Sequence, residues 1–289
     1  MAKVNRRIGN TPQAIENLQK AIQLAPDNLE IKYQEIRFLQ EQSKFAEAET
    51  KANKLLQINP ANTKIRVLLA NSQAKQGKLD QALDTLKVNS PTSKEDPDLI
   101  LEALKIKQDQ EGIETLLPHL IRLAEKNPEH PNVLVTLTDW LIQTNRLRKA
   151  EETAQTILRI IPEQAEVHLM LGRLQRKNGQ LDQAIAHLSD AIQYDPMLVE
   201  AYIELGKTYQ DRRNLEEAIK TFQLGSNANP QDARPYYFSG LALKECKNYS
   251  DAEIMLKQAK KYAPDDQNII RQLGVVTALN LIHKLRETR

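Results

Sequence analysis

The chain has 289 residues, with 40 Lys plus Arg against 38 Asp plus Glu and a formal charge of +2. So even a balance excludes a global pull toward nucleic acid or acidic membrane, though not a local patch. Cys246 is the only cysteine, which excludes an intrachain disulfide, and aromatics make up only 4% beside abundant Ala, Leu, Ile, Gln, Lys and Glu, a helix-forming composition.

In chain order, the first 28 residues read as part of a helix pair. A helix over 12–25 behaves as a second helix, Gly9-Asn10 as its turn, and Met1 to Ile8 as the last half of a first helix. Two accounts stay open: the C-terminal part of a longer solenoid that begins in mid-repeat, or a short helix acting as a natural cap. No apolar run follows the charges of Lys3, Arg6 and Arg7, so no secretory signal is read there. No segment approaches the roughly 18 apolar residues of a membrane span. The expected location is cytoplasmic.

From 29 to 266 the chain repeats itself. Pro26, Pro60, Pro128, Pro162, Pro196, Pro230 and Pro264 fall on one lattice of 34 residues, missed once at Lys94. A proline there ends an apolar helical run, because it lacks an N–H and restricts the residue before it. Ala14, Ala48, Ala82, Ala150, Ala184, Ala218 and Ala252 form a second ladder, broken at Leu116; Gly172, Gly206, Gly240 and Gly274 form a third, with Ala70 in phase. A glycine inside a helix costs about 1 kcal/mol relative to alanine, so a recurring one predicts a close neighbouring backbone, with the alanines as the matching small surface. Between the ladders stand short turns such as Gly77-Lys78-Leu79, Gly179-Gln180-Leu181, Arg213-Asn214-Leu215 and Lys247-Asn248-Tyr249, whose Gly or Asn tolerates a left-handed backbone.

Seven helix pairs are thus expected over 29–266, with an irregular stretch near 87–118. There Asn89 to Pro97 shortens a second helix by roughly a turn, and Pro118 falls early in the next second helix. A hinge or merely a degenerate unit would explain it. Residues 267–289 read as a C-terminal capping helix with a charged tail.

The pattern resembles the tetratricopeptide repeat: a small residue in the first helix, alanine in the second, then proline. Residues 199–232 carry it most fully, with Tyr202, Leu205, Gly206, Tyr209, Leu215, Ala218, Phe222 and Pro230 in order. The resemblance implies an all-α, right-handed superhelical solenoid of antiparallel helix pairs whose first helices line a concave groove.

No phosphate loop, nucleophile elbow or His-Glu-x-x-His pair occurs, and the five histidines are scattered, so no catalytic, cofactor-binding or metal-ligating set is expected. His187 reads as an ordinary packed or rim residue, Cys246 as structural and Trp140 as core.

Helical phase, counted from the glycine ladder, places Arg37, Asn71, Lys105, Asp139, Arg173, Lys207 and Leu241 toward the groove. Gln40, Ala74, Gln108, Ile142, Arg176, Gln210 and Lys244 follow one turn later, with Lys177 beside them. The expected partner-binding residues are Arg37, Asn71, Lys105, Arg173, Arg176, Lys177, Lys207, Gln210, Tyr237 and Lys244. Across Arg173, Arg176, Lys177 and Lys207 the row is basic and suits a partner carboxylate, unless Glu166, Glu200 and Glu204, one turn earlier, neutralise it. Tyr236 is expected in the core, and Tyr237 and Phe238 lean either toward the groove or against the C-terminal helix. The family's chaperone-tail clamp is missing, since Tyr33, Val67 and Leu101 replace its first Lys, and Gln34, Leu68 and Glu102 its central Asn.

The expected function is a protein-interaction scaffold or assembly factor that takes a protein or peptide ligand, with neither nucleic acid nor membrane insertion. Self-association stays open. The alternative is the substrate-recognition arm of a larger, glycosyltransferase-type enzyme.

Overall fold

The computed structural model describes residues 11–25, 27–87 and 96–287. The expected half-helix at Met1 to Ile8, the turn Gly9-Asn10, Pro26 and the segment 88–95 lie outside the described residues. Among those described there are sixteen helices and no strand. They are α1 (Thr11–Leu24), α2 (Leu29–Glu41), α3 (Phe45–Ile58), α4 (Thr63–Lys75), α5 (Leu79–Leu86), α6 (Pro97–Glu111), α7 (Ile113–Lys126), α8 (Pro131–Gln143) and α9 (Leu147–Ile160). There follow α10 (Ala165–Lys177), α11 (Leu181–Tyr194), α12 (Val199–Asp211), α13 (Leu215–Ala228), α14 (Ala233–Glu245), α15 (Tyr249–Tyr262) and α16 (Gln267–Glu287).

Each lattice proline from Pro60 onward stands two residues beyond the end of a second helix. Ala48, Ala82, Ala150, Ala184, Ala218 and Ala252 are fully buried, so the alanine ladder is the seam of each pair. The glycine ladder makes contact in a way that differs in detail from the expectation. A Cβ on Gly172 would lie 2.5 Å from Leu188 Cγ and 3.3 Å from the Ala184 carbonyl; on Gly240 it would lie 2.7 Å from Leu256 Cγ. On Gly206 it would overlap the Phe222 ring. What needs the space is a large side chain one turn beyond the alanine, with the alanine's own carbonyl behind it. Gly274 has nothing within 4 Å of its Cβ position.

The left-handed turn position is an asparagine at Asn145 but not in the turns that carry Asn214 and Asn248. It falls on Ser43, Gly77, Gly112, Asn145, Gly179, Arg213 and Lys247. Asn214 and Asn248 cap the next helix instead, accepting from the Glu217 and Asp251 N–H groups.

The array divides into two compact units, Pro12–Ile160 and Ile161–Arg289. Within each, consecutive helices from α2 onward pack on one another and first helices also touch first helices: α2 on α4, α4 on α6 and α6 on α8, then α10 on α12, α12 on α14 and α14 on α16. Each unit is therefore a solenoid of helix pairs with a continuous row of first helices. In the 87–118 stretch, α5 is eight residues long where α3 has 14, a larger loss than a single turn. Stacking nevertheless continues there, since α6 packs on both α4 and α5. Pro118 lies inside α7, past its first turn, with its ring in solvent. Trp140 is 1% exposed, as expected. In contrast, Cys246 is an exposed free thiol at the C-cap of α14 rather than an internal packing residue. No described helix is long and apolar enough to cross a membrane. Of the residues meant to cap the chain, Leu281 and Leu285 of α16 are 61% and 58% exposed.

Candidate functional site

In the first unit, α2, α4, α6 and α8 enclose a cleft of about 400 Å³. Its lining repeats every 34 residues because the helices do. Tyr33, Val67, Leu101 and Val135 form the apolar floor; Gln34, Leu68, Glu102 and Thr136 lie beside them; Glu30, Lys64, Asp98 and Asn132 stand one turn nearer the helix starts; Arg37 and Lys105 stand one turn beyond. The periodic contribution of one face from each first helix is what the phase argument predicted for Arg37 and Lys105. The row at 30, 64, 98 and 132 lies outside the expected residues, and 33, 67 and 101 stand where the family's clamp is missing.

Tyr33 is 9% exposed, accepts a hydrogen bond from Asn62 Nδ2 at 2.8 Å and has Lys64 Nζ 5.9 Å from its ring centre. Glu102 is also 9% exposed. Burial pushes its carboxyl above the usual carboxylate range, against the opposing pull of Lys105 and a hydrogen bond from Asn71. Arg37, Lys64 and Lys105 face Glu30, Asp98 and Glu102, yet no ion pair joins these cations to these carboxylates. Asp98 accepts from Asn132 Nδ2 at 3.0 Å and Glu30 from Gln34 Nε2 at 2.8 Å. Gln40 points into the stack, donating to the Leu68 carbonyl and to Ser72 Oγ.

The second unit treats the equivalent face differently, and the basic patch expected there is neutral. Glu204, its side chain 10% exposed, receives Arg176 at 3.2 Å, Lys207 at 3.3 Å and Arg173 at 3.7 Å. Arg176 also holds Asp211 at 3.0 Å, while Arg173 and Arg234 share Glu200 at 3.7 and 2.8 Å. Arg234 binds Asp232 as well. Four cations thus meet four carboxylates. The neutralisation by Glu200 and Glu204 was foreseen as an option; Asp211, Asp232 and Arg234 were not. Lys207 lies 4.6 Å above the Phe238 ring. Lys177 is exposed and Gln210 half-buried.

Among the aromatics, Phe238 and Tyr236 depart from expectation, and Tyr237 takes the second of its two expected places. Phe238 packs into the core with Ala218, Phe222 and Ala242, its ring 5.7 Å from that of Phe222. Tyr236, expected in the core, is only half-buried and stacks on Tyr262 at 5.8 Å. Tyr237 packs with Leu243, Leu273 and Val276, against the C-terminal helix. Lys244 donates to Gln272 Oε1 of that helix at 2.8 Å. Nor are all histidines scattered: His168 and His187 bring their Nδ1 atoms within 3.0 Å of each other.

A row of first helices covered by second helices, repeated at 34 residues with a lined cleft, defines a helical-repeat protein. Tetratricopeptide-repeat profiles match residues 39–100, 117–174, 175–242 and 233–266. The chain belongs to the tetratricopeptide repeat family. It is 28% identical over 147 residues, 51% of its length, to BBSome complex member BBS4 of Bos taurus, and 23% identical over 94% of its length to the Drosophila melanogaster homolog of that protein. The chain spans 28% and 58% of the length of these two relatives. Among solved structures, the APC/C hetero-tetramer Cut9-Hcn1 superposes with a TM-score of 0.63 at 14% identity, covering 95% of this chain and 54% of that one. A tetratricopeptide repeat protein from Parabacteroides merdae gives 0.55 at 18% identity, covering 85% and 99%. At such identities the superpositions establish the fold alone.

Proposed function

We propose that this chain is a protein-interaction scaffold, and that an extended segment of a protein partner lies along the first-helix cleft of the unit Pro12–Ile160. The carrying observation is the composition of that cleft: an apolar floor from Tyr33 to Val135, flanked by three cations and three carboxylates that do not neutralise one another by ion pairing. A rigid surface of this kind loses little entropy on binding, and periodic contacts along a peptide add up. Charges of both signs favour a peptide with its own acidic and basic side chains over a polyphosphate backbone. Relatives that are members of a BBSome complex, and a structural neighbour within an APC/C hetero-tetramer, support a role in assembly. The second unit contributes its fold, its face being committed to internal pairs.

The test is affinity enrichment of partners by wild type and by the double variant Arg37→Glu/Lys105→Glu, with circular dichroism verifying the helical fold of both. A partner held by wild type and weakened at least about tenfold in the variant, roughly 1.4 kcal/mol, is the expected result. Equal retention by both forms would remove the cleft as the site.

A further inference from the structure

The two histidines that meet in the unit Ile161–Arg289 do so beside a carboxylate. His168 on α10, His187 on α11 and Asp190 one turn further along α11 each offer one ligand atom, all within 4.8 Å of one another. Spacing three apart on one helix puts His187 and Asp190 on the same face, turned toward His168 across the pair. His168 Nδ1 lies 3.0 Å from His187 Nδ1 and 3.5 Å from Asp190 Oδ2.

The tautomer of His168 follows from its other nitrogen. Nε2 lies 2.9 Å from the Pro162 carbonyl oxygen, which can only accept, so Nε2 carries the hydrogen. In the neutral ring Nδ1 is then an acceptor, which takes the hydrogen of His187 Nδ1 and also stands 3.5 Å from the Asp190 carboxylate oxygen. An acceptor nitrogen and a carboxylate oxygen 3.5 Å apart oppose one another, and a cation bound by both would relieve that opposition. His168 is only 6% exposed, so solvent does little to screen that opposition. The Pro162 contact is also the kind of backbone hydrogen bond that orients a metal-ligating imidazole.

We propose that His168 Nδ1, His187 Nδ1 and an Asp190 oxygen form a site for a divalent transition cation of the zinc type, clamping α10 to α11. Tetrahedral zinc with bonds of roughly 2.0–2.1 Å sets neighbouring donors roughly 3.3 Å apart. The observed 3.0 and 3.5 Å edges at His168 bracket that spacing, and the third, between His187 and Asp190, lies within 4.8 Å, so a side-chain rotation that shortens that edge completes the site. Without metal, His187 Nδ1–H donates to His168 Nδ1. On binding, that hydrogen passes through solvent to His187 Nε2, and no net proton is released. Asp190 has a side chain 44% exposed, which leaves the fourth position reachable by water. The ligand set of two imidazoles and one carboxylate suits zinc better than calcium or magnesium, which prefer oxygen donors.

The experiment uses the full chain, stripped with a chelator and titrated with zinc by calorimetry, with cobalt(II) as a spectroscopic probe. His187→Gln and Asp190→Asn are the variants, both at half-buried positions where the helices need not rearrange. Wild type is expected to bind one equivalent, to show the ligand-field bands of a low-symmetry cobalt site, and to melt several degrees higher with zinc in a chelator-reversible way. Each variant should bind at least ten times more weakly and lose the cobalt bands. Failure of wild type to bind one equivalent, or binding by both variants equal to wild type, overturns the proposal.

Discussion

Glu102 and Glu204 stand at the same place in the repeat, three periods apart, and are 9% and 8% exposed. Their surroundings differ at two positions. Glu204 meets Arg173 and Arg176 from the preceding first helix and Lys207 on its own. The places that would hold those arginines around Glu102 are Asn71 and Ala74, and only Lys105 matches Lys207. One carboxylate is therefore the hub of an ion-pair network; the other sits desolvated in a cleft floor, its pKa raised by burial. The same backbone frame yields a closed, self-neutralised face in one unit and an open, lined cleft in the other, through Asn71 and Ala74 in place of Arg173 and Arg176, and His130 and Asn132 in place of Asp232 and Arg234.

The largest effect expected is at Glu204. Glu204→Ala removes the carboxylate on which three cations converge, leaving Arg176 with Asp211 and Arg173 with Glu200, and it should lower stability by about 2 kcal/mol in urea denaturation. That figure lies below the 3–5 kcal/mol of a fully buried pair, because the arginines are partly solvated. An unchanged midpoint would mean that the network is ornamental and the two faces are alike. The reciprocal change, Asn71→Arg with Ala74→Arg, transplants the network onto Glu102. It should add up to about 1 kcal/mol of stability and weaken partner binding, since the new arginines occupy the cleft and draw in its carboxylate.

A smaller effect follows from ionisation. In the unfolded chain Glu102 titrates near the ordinary 4.5, and in the fold its value is higher. The folded state therefore holds the proton more tightly between those two values, and stability falls as pH rises through that window. Glu102→Gln should flatten this part of the melting-temperature profile and leave the protein as stable as wild type, or up to about 1 kcal/mol more stable, at neutral pH. A loss of stability at neutral pH would show that the ionised carboxylate is instead held by partners comparable to those of Glu204.

The fold was legible because its determinants are local and repeated. Proline stops a helix wherever it stands, and a buried alanine or glycine reports a helix crossing, so seven prolines on one lattice define the period. What escaped is set between repeats. Glu204 pairs with residues 31 and 28 earlier, and Arg234 with Glu200 34 earlier. Counting charge along a single row shows Arg173, Arg176 and Lys207 as a basic patch; the carboxylates one turn earlier, Glu166, Glu200 and Glu204, are read only as an option, and Asp211, Asp232 and Arg234 not at all. Laying the sequence out on its 34-residue lattice and reading across neighbouring columns would have revealed the pairing. The left-handed backbone at Arg213 and Lys247 escaped for another reason: the turn geometry is imposed by the flanking helices, and side chains with no preference for it comply. His168 and His187 meet through the pairing of α10 with α11, which helical phase within either one does not report.

The most direct test of an open first unit and a closed second one is hydrogen exchange by mass spectrometry on the chain with and without its enriched partner. Binding should slow exchange in the first helices Leu29–Glu41, Thr63–Lys75 and Pro97–Glu111, and leave Ala165–Lys177 and Val199–Asp211 unchanged. Protection confined to those last two helices would contradict the account, placing the partner on the face that the ion-pair network was held to close.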